Sequence, residues 1–295
     1  MTPPRVVVVG DLVTDVIVSI AGVIAVGSDT TAQIVMGDGG AGGNVAAWLR
    51  ALDVDVGLVA RVGNDPAGRD AVERLAAAGV ATAATTDPIA PTGTVVALID
   101  SGGERTMLTD RGANQALDAA DLPLTWFRPG AHLHLSGYVL FAGRGRHAGL
   151  AALRAATAAG MTISVDPASW APLRRWGAAR FLATTVDAVL TLPNSDEARV
   201  LTGVGDPADS ARRLARHHGS AVVKCGADGA VWSDGTATLH CRAARTTVVD
   251  STGAGDAFTA GYLAAWLDGA APDEALERAT LVAARTVGRR GARPG

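Results

Sequence analysis

The sequence predicts an α/β fold: a three-layer α/β/α sandwich around a mostly parallel central sheet, with a small β-sheet lid. Three observations predict it. Short apolar runs alternate with helix-period segments along the chain, which is the pattern of parallel strands joined by crossover helices. Two stretches, about 13–36 and 93–109, break that rhythm and contain no helix pattern. Apolar residues make up 48% of 295 residues, enough to fill one large core.

Strands are predicted at 5–9 (RVVVV), 56–61 (VGLVAR), 132–136 (HLHLS), 161–165, 187–192 (DAVLTL) and 221–224. Helices are predicted at 43–52, 66–78, 145–159, 195–202, 207–217, 256–267 and 272–288. The helix at 66–78 is opened by Asp65 as N-cap, with Pro66 at its first position. The β-only stretch at 13–36 reads as two strands around a Gly-Ser-Asp turn at 27–29. The other, 93–109, reads as a hairpin turning at 100–103. Together they form a β-layer suited to cover the end of the main sheet and exclude water from a site. No long linker, repeat or low-complexity tract divides the chain, so 1–295 reads as one domain.

The bulk numbers exclude several classes. Charged residues are 19% and the net charge is -3, so no basic surface advertises nucleic acid or an anionic membrane. No apolar run reaches the ~18 residues of a membrane span, and MTPPRVVVVGD lacks a signal-peptide pattern. A cytoplasmic protein is expected. Cys225 and Cys241 read as buried thiols rather than a disulfide or metal site. No histidine has metal spacing; His132, His134, His217 and His218 read as structural.

The stretch VVDSTGAGDAFTAGYLAAW (248–266) carries the chemistry. Val248-Val249 reads as a strand end, and the residues after Asp256 have helix spacing. The turn therefore offers the unpaired N–H groups and dipole of a helix start, which favour an anion. Gly253 and Gly255 let the backbone approach that anion. Asp256 falls in the first helical turn, where the dipole favours its ionised form. There it can accept a proton from an attacking hydroxyl. The plain alternative is a helix cap with two turn glycines.

Other stretches are less specific. In GDGGAGGN (37–44), Gly39 and Gly40 would bring backbone close to a small polar ligand that Asn44 hydrogen-bonds. A lone Gly-rich string is weak evidence for a dinucleotide site. Asp11 and Asp15 in GDLVTD are candidate acceptors for ligand hydroxyls, or simply turn residues. Asn194 and Glu197 in LPNSDEARVLTG read as N-cap and capping-box partner. Lys224 in VVKCGADG would meet a phosphate or solvent.

Taken together, these segments resemble the ribokinase-like (PfkB) family of carbohydrate kinases. Gly39-Gly40-x-x-x-Asn44 is similar to the family's first signature, and Asp250-Ser251-Thr252-Gly253-Ala254-Gly255-Asp256 to its second. RVGNDPAGRDAVERLAAAGV (61–80), GERTMLTDRGAN (103–114) and HLHLSGYVL (132–140) lie between them in the family's order. The resemblance implies transfer of the γ-phosphoryl group of ATP to a hydroxyl, usually primary, of a small sugar. It implies Asp256 as base and the backbone of Gly253, Ala254, Gly255 and Asp256 as anion hole. It implies substrate contacts from Asp11, Asp15, Gly39, Gly40 and Asn44. Asn194 and Glu197 would act on magnesium through its waters. Lys224, Gly226 and Gly229 would line the nucleotide site, with Val282 and Ala283 near adenine. Many relatives bind potassium; Asp250 and Thr252 sit at the matching positions, and carbonyls around 286–291 would complete an oxygen-rich site. In some relatives the lid also clasps a second copy into a homodimer.

Two departures bear on the acceptor. Asp166-Pro167-Ala168-Ser169-Trp170 lacks the arginine that accompanies sugar-acid substrates, and Val13 stands where ribokinases proper carry Asn. A neutral monosaccharide is therefore expected. A nucleoside kinase of the same family is the alternative. The two lid stretches hold no Phe, Tyr or Trp to stack a base, although Trp48, Tyr138 and Phe141 could reach the pocket from the body. A non-catalytic binding or regulatory protein is a third reading, opposed by the intact Asp256 loop.

Overall fold

Strand β1 (Val6–Val9) shows why the sheet has two buried faces. Successive side chains of a strand point to opposite sides. Val6 and Val8 enter one core and Val7 and Val9 the other, all at 0% exposure. A computed structural model describes residues 3–102, 105–141 and 143–294. After β1 come β2 (Val13–Ile20), β3 (Ala32–Gly39), β4 (Val56–Gly63), β5 (Ala81–Asp87), β6 (Gly93–Ile99) and β7 (Arg105–Asp110). Then follow β8 (His132–Ser136), β9 (Thr162–Asp166), β10 (Leu190–Thr191), β11 (Ser220–Lys224), β12 (Ala230–Ser233) and β13 (Thr238–Cys241). The helices are α1 (Ala41–Ala51), α2 (Pro66–Ala77), α3 (Tyr138–Phe141), α4 (Gly145–Ala158) and α5 (Trp170–Trp176). They continue with α6 (Ala178–Thr184), α7 (Ser195–Thr202), α8 (Pro207–His218), α9 (Ala254–Leu267) and α10 (Pro272–Val287).

Among the described residues, one sheet runs β13-β12-β11-β10-β9-β8-β1-β4-β5. It is parallel from β11 to β5 and antiparallel only at β12 and β13. Helices α1, α9 and α10 pack Trp48, Phe258, Tyr262 and Leu276 on one face. Helices α4, α6 and α8 pack Leu153, Phe181 and Leu214 on the other. The β-only stretches form a second sheet, β3-β2-β6-β7, that reaches Gly39 and Asp110. Gly103 of the expected hairpin turn lies outside the described residues.

Local chemistry explains several boundaries. The Asp65 carboxylate accepts from the backbone N–H of Gly68 at 2.8 Å and of Thr92 at 2.7 Å, starting α2 and pinning the entry to β6. Replacing Asp65 with alanine is expected to cost ~1–2 kcal/mol of stability, read by denaturant unfolding. Asn194 and Glu197 form the reciprocal capping box at α7. His132 and His134 are buried and hydrogen-bonded to Ser164, and His218 meets Thr185, so these three are structural. His217, by contrast, is exposed at the end of α8.

Other expectations need correction. Val248-Val249 is not a strand end; both side chains are exposed (70% and 54%) in an extended loop after β13. The strand expected at 187–192 narrows to Leu190–Thr191, because Thr185–Ala188 closes a turn first. Strand β5 was not expected: ATAATTD is poor in strand formers, yet it pairs with β4 along its whole length. The β12–β13 hairpin follows a Ser-Asp-Gly turn that is itself a hairpin signal. Cys225 and Cys241 are half-buried free thiols rather than fully buried ones.

Candidate functional site

Parallel strands end in charged or polar residues at one edge of the sheet, and α9 begins there. Asp166 closes β9, Lys224 closes β11, and Asp11 follows β1. Ligands of open α/β sheets bind at such carboxyl ends. The first turn of α9 points at this edge: a Cβ on Gly255 would stand 3.8 Å from Lys224 Nζ.

Asp256 lies in that first turn, where Asn44 Nδ2 donates to its Oδ2 at 2.8 Å. The two signature motifs, 212 residues apart, thus meet. Burial raises the Asp256 carboxyl to about 6, against the pull of Asn44, Lys224 and Arg293. The dipole was expected to hold it low; desolvation wins. The backbone N–H groups of Gly255 and Asp256 have no acceptor among the described residues, whereas that of Ala254 donates to Ser251 O at 3.3 Å. Gly253 (φ +73) is dictated by crowding: a Cβ there would press on Ala292 Cβ at 2.6 Å.

Asp15 lies on β2 beside Gly39, whose missing side chain makes room: a Cβ would meet Asp15 Oδ1 at 2.1 Å. Gly40 (φ +92) lets the chain turn into α1 against Asp11 O. Burial, and then the Asp256 charge, push Asp15 up to about 7. The Asp11 carboxylate is tied to the Arg111 guanidinium, which also donates to Tyr138 O. Burial raises Asp11 even so.

Lys224 is not solvent-exposed. Its Nζ meets Asp166 Oδ2 at 2.6 Å and Thr259 Oγ1 at 3.3 Å. Burial alone would lower its pKa, but Asp166 and Glu197 outweigh that and raise it. Glu197 is 2% exposed; its two carboxyl oxygens accept from Asn194 N at 2.8 Å and Asn194 Nδ2 at 2.7 Å. Burial, reinforced by Asp166, pushes Glu197 up to about 8.

A cavity of about 590 Å³ opens beside the α9 turn, lined by Lys224, Gly226, Gly229, Ala254, Gly255 and Ala283 among others. That volume suits a nucleotide-sized ligand. Val282 is the exception among the expected lining residues. It is buried in the core against Gly261, so only Ala283 of that pair faces the cavity. Asp250 and Thr252 are drawn together: Asp250 Oδ1 accepts from Thr252 N and Oγ1, and Oδ2 from Gly291 N at 3.1 Å.

Sequence reasoning missed three contributors. Asp166 was legible as a carboxylate ending an apolar strand. Arg111 had no local signal beyond its place in TDRGAN. Arg293 had none at all, yet it donates to Gly39 O at 2.9 Å and Asn44 Oδ1 at 3.3 Å. Trp48, considered for the pocket, is instead core: it is 2% exposed and donates to Ala292 O. No helix among the described residues is long and apolar enough to cross a membrane.

The chain is similar to several known proteins. The model of the pfkB family of carbohydrate kinases matches residues 3–295. An ATP-dependent ribose-1-phosphate kinase of Halopiger xanaduensis is 34% identical, covering 86% of this chain and 82% of that one. A fructokinase of Klebsiella pneumoniae is 32% identical, covering 95% and 91%. A fructokinase of Vibrio cholerae, solved with fructose, ADP and calcium ion, superposes with a TM-score of 0.84 at 26% identity, over 99% of this chain and 95% of that one.

Proposed function

We propose the following reaction for this chain, which belongs to the pfkB family of carbohydrate kinases and is an ATP-dependent sugar kinase. Asp256 takes the proton of a sugar hydroxyl. The freed oxygen forms a bond to the γ-phosphorus of ATP as the bond to the β–γ bridging oxygen breaks, and ADP leaves with that electron pair. One observation carries the reading. Asp256 touches Asn44 on the acceptor side, while its neighbours Ala254 and Gly255 line the nucleotide-sized cavity. The base therefore stands between the two reactants.

Asp15, Gly39, Gly40 and Asn44 form the acceptor side, and Asp11 acts through Arg111. Lys224, Gly226, Gly229 and Ala283 line the nucleotide side. The free N–H groups of Gly255 and Asp256, at a helix N-terminus, suit the charge that spreads over the moving phosphoryl group. Glu197 and Asn194 offer side-chain oxygens, the donor type a hard divalent cation takes, at the start of α7, and the Asp166 charge acts on Glu197. Glu197 and Asn194 would hold magnesium through its waters, where bound magnesium offsets phosphate charge. Asp250 and Thr252 would frame potassium with carbonyls of the 286–291 segment. The four-stranded sheet serves as a lid, and exposed Ile34, Met36 and Leu108 on it offer a surface to a second copy. ATP chemistry and two free thiols fit a cytoplasmic protein.

The test is ATP consumption with magnesium against a panel of sugars and nucleosides, in potassium and in sodium salts. Turnover on sugars, higher in potassium, is expected. Turnover on nucleosides alone would overturn the acceptor. The pH profile adds a second readout. A base must be ionised, so kcat/KM is expected to hold above pH 7 and to fall as pH drops through about 6. An acid limb near 4, the ordinary carboxylate range, would remove buried Asp256 as the group responsible.

A further inference from the structure

We propose that the sugar acceptor carries an anionic group, phosphate or carboxylate, and that a second cavity beside the acceptor site binds it. The proposal rests on the kinase reading above and revises the expectation of a neutral sugar. The cavity has a volume of about 670 Å³ and is lined by Arg111, Arg146, Arg175 and Arg180, with no Asp or Glu among the described residues of its wall.

Four guanidinium groups face one cavity, two of them, Arg111 and Arg146, partly buried, so the local field is positive and favours an anion. Among the described residues, only Arg111 of the four has a carboxylate partner, Asp11. Arg146 spends its donors on Leu140 O and Phe141 O and lies over the Trp176 ring. Arg175 and Arg180 are exposed and have no carboxylate partner among the described residues. Two buried donors in the wall, Arg111 Nε and Trp176 Nε1, likewise have no acceptor there. The wall thus offers planar, forked donors and lacks acceptors. That chemistry recognises an oxyanion.

The position fits one end of the acceptor. Arg111 reaches from this cavity to Asp11, and Tyr138 in the same wall lies near enough to feel the charges of both Asp11 and Asp256. A sugar whose hydroxyl meets Asp256 would therefore extend its anionic substituent past Tyr138 into the arginines. Met107 and Thr109 of β7 form the outer wall, so closure of the lid sheet over the sugar would also close this cavity.

The experiment compares kcat/KM of the full chain on neutral monosaccharides, on sugar monophosphates and on sugar acids, with ATP and magnesium. The expected result is a preference of about a hundredfold or more for one anionic class over its neutral parent, about tenfold for each of two charged contacts. Preference for the monophosphate or for the acid assigns the group. The double variant Arg175→Gln/Arg180→Gln is expected to reduce that preference about tenfold or more, chiefly through KM. Arg174→Gln, whose guanidinium stacks on Trp170 outside the cavity, is expected to leave the preference in place. Neutral sugars turned over as well as anionic ones would overturn this inference and leave the kinase reading standing. Silence on every acceptor would sink the kinase reading itself. In that case calorimetric binding of a sugar monophosphate or sugar acid, lost in the double variant, would still support the anion site; its absence would overturn it.

Discussion

Replacing Asp256 with asparagine is expected to leave ATP bound and to lower turnover by about 10²–10⁴-fold, the usual worth of a positioned general base. The substitution keeps the shape of the side chain and the backbone of the α9 turn. The nucleotide cavity is lined by Ala254 and Gly255 rather than by Asp256, so it should be unchanged. The residual rate should also lose its acid limb near pH 6, since the group that titrates there is gone. Stability should move the other way. The folded carboxyl is raised from 3.8 to about 6. A raised carboxyl favours the fold below pH 3.8, and that contribution is lost as pH rises through 6. At pH 7 the wild type bears the full penalty of an ionised, buried Asp256. The variant escapes it and should be more stable at pH 7 by up to ~3 kcal/mol, with the gain vanishing below pH 4. Steady-state kinetics, ATP calorimetry and denaturant unfolding at two pH values measure all three. Turnover within tenfold of wild type would remove Asp256 from the role of base.

The second large effect concerns Lys224→Met. The Lys224 and Asp166 side chains are each only 12% exposed and lie 2.6 Å apart. Removing one partner of a buried pair strands the other, at a cost of ~3–5 kcal/mol. Here the stranded Asp166 also faces the charges of Glu197 and Asp256. The expected result is a protein destabilised by that order, with the acid limb of its pH profile shifted upward because Asp256 has lost a nearby cation. Adding Asp166→Asn should recover much of the stability, while turnover stays low because the nucleotide cavity still lacks the Lys224 ammonium. A loss under ~1 kcal/mol in the single variant would mean that the pair is solvated rather than buried.

What could be read from the residues and what could not divide along a physical line. Local interactions were legible. The Asp65 cap, the Asn194–Glu197 box and the strands at 5–9 and 132–136 follow from short-range spacing, and the structure has them. Interactions set by tertiary pairing were not. β5 is a strand because β4 lies beside it, and its Ala-Thr composition carries no such signal. Val248 and Val249 read as a strand by propensity, yet no strand among the described residues pairs with them. The site divides in the same way. Asp256, Asn44 and the glycines belong to motifs with recognisable spacing. Arg111 and Arg293 are solitary cations whose partners, Asp11 and Asn44, lie 100 and 249 residues away. Val282 and Ala283 are adjacent, and only the rotation of α10 decides which one faces the cavity.

The contact of Arg293 with Asn44 and Gly39 has a consequence for how the molecule comes to be active. The acceptor side is closed by a residue translated 249 positions after Asn44, the side chain it meets. A nascent chain emerging from the ribosome can pair β1 with β4 and β8 and fold much of its sheet. Until residue 293 is free to dock, Asn44 and Asp256 lack the cation that sits with them. Catalytic competence thus waits on residue 293, and a nascent chain with a formed sheet but without that residue would not present a finished acceptor site.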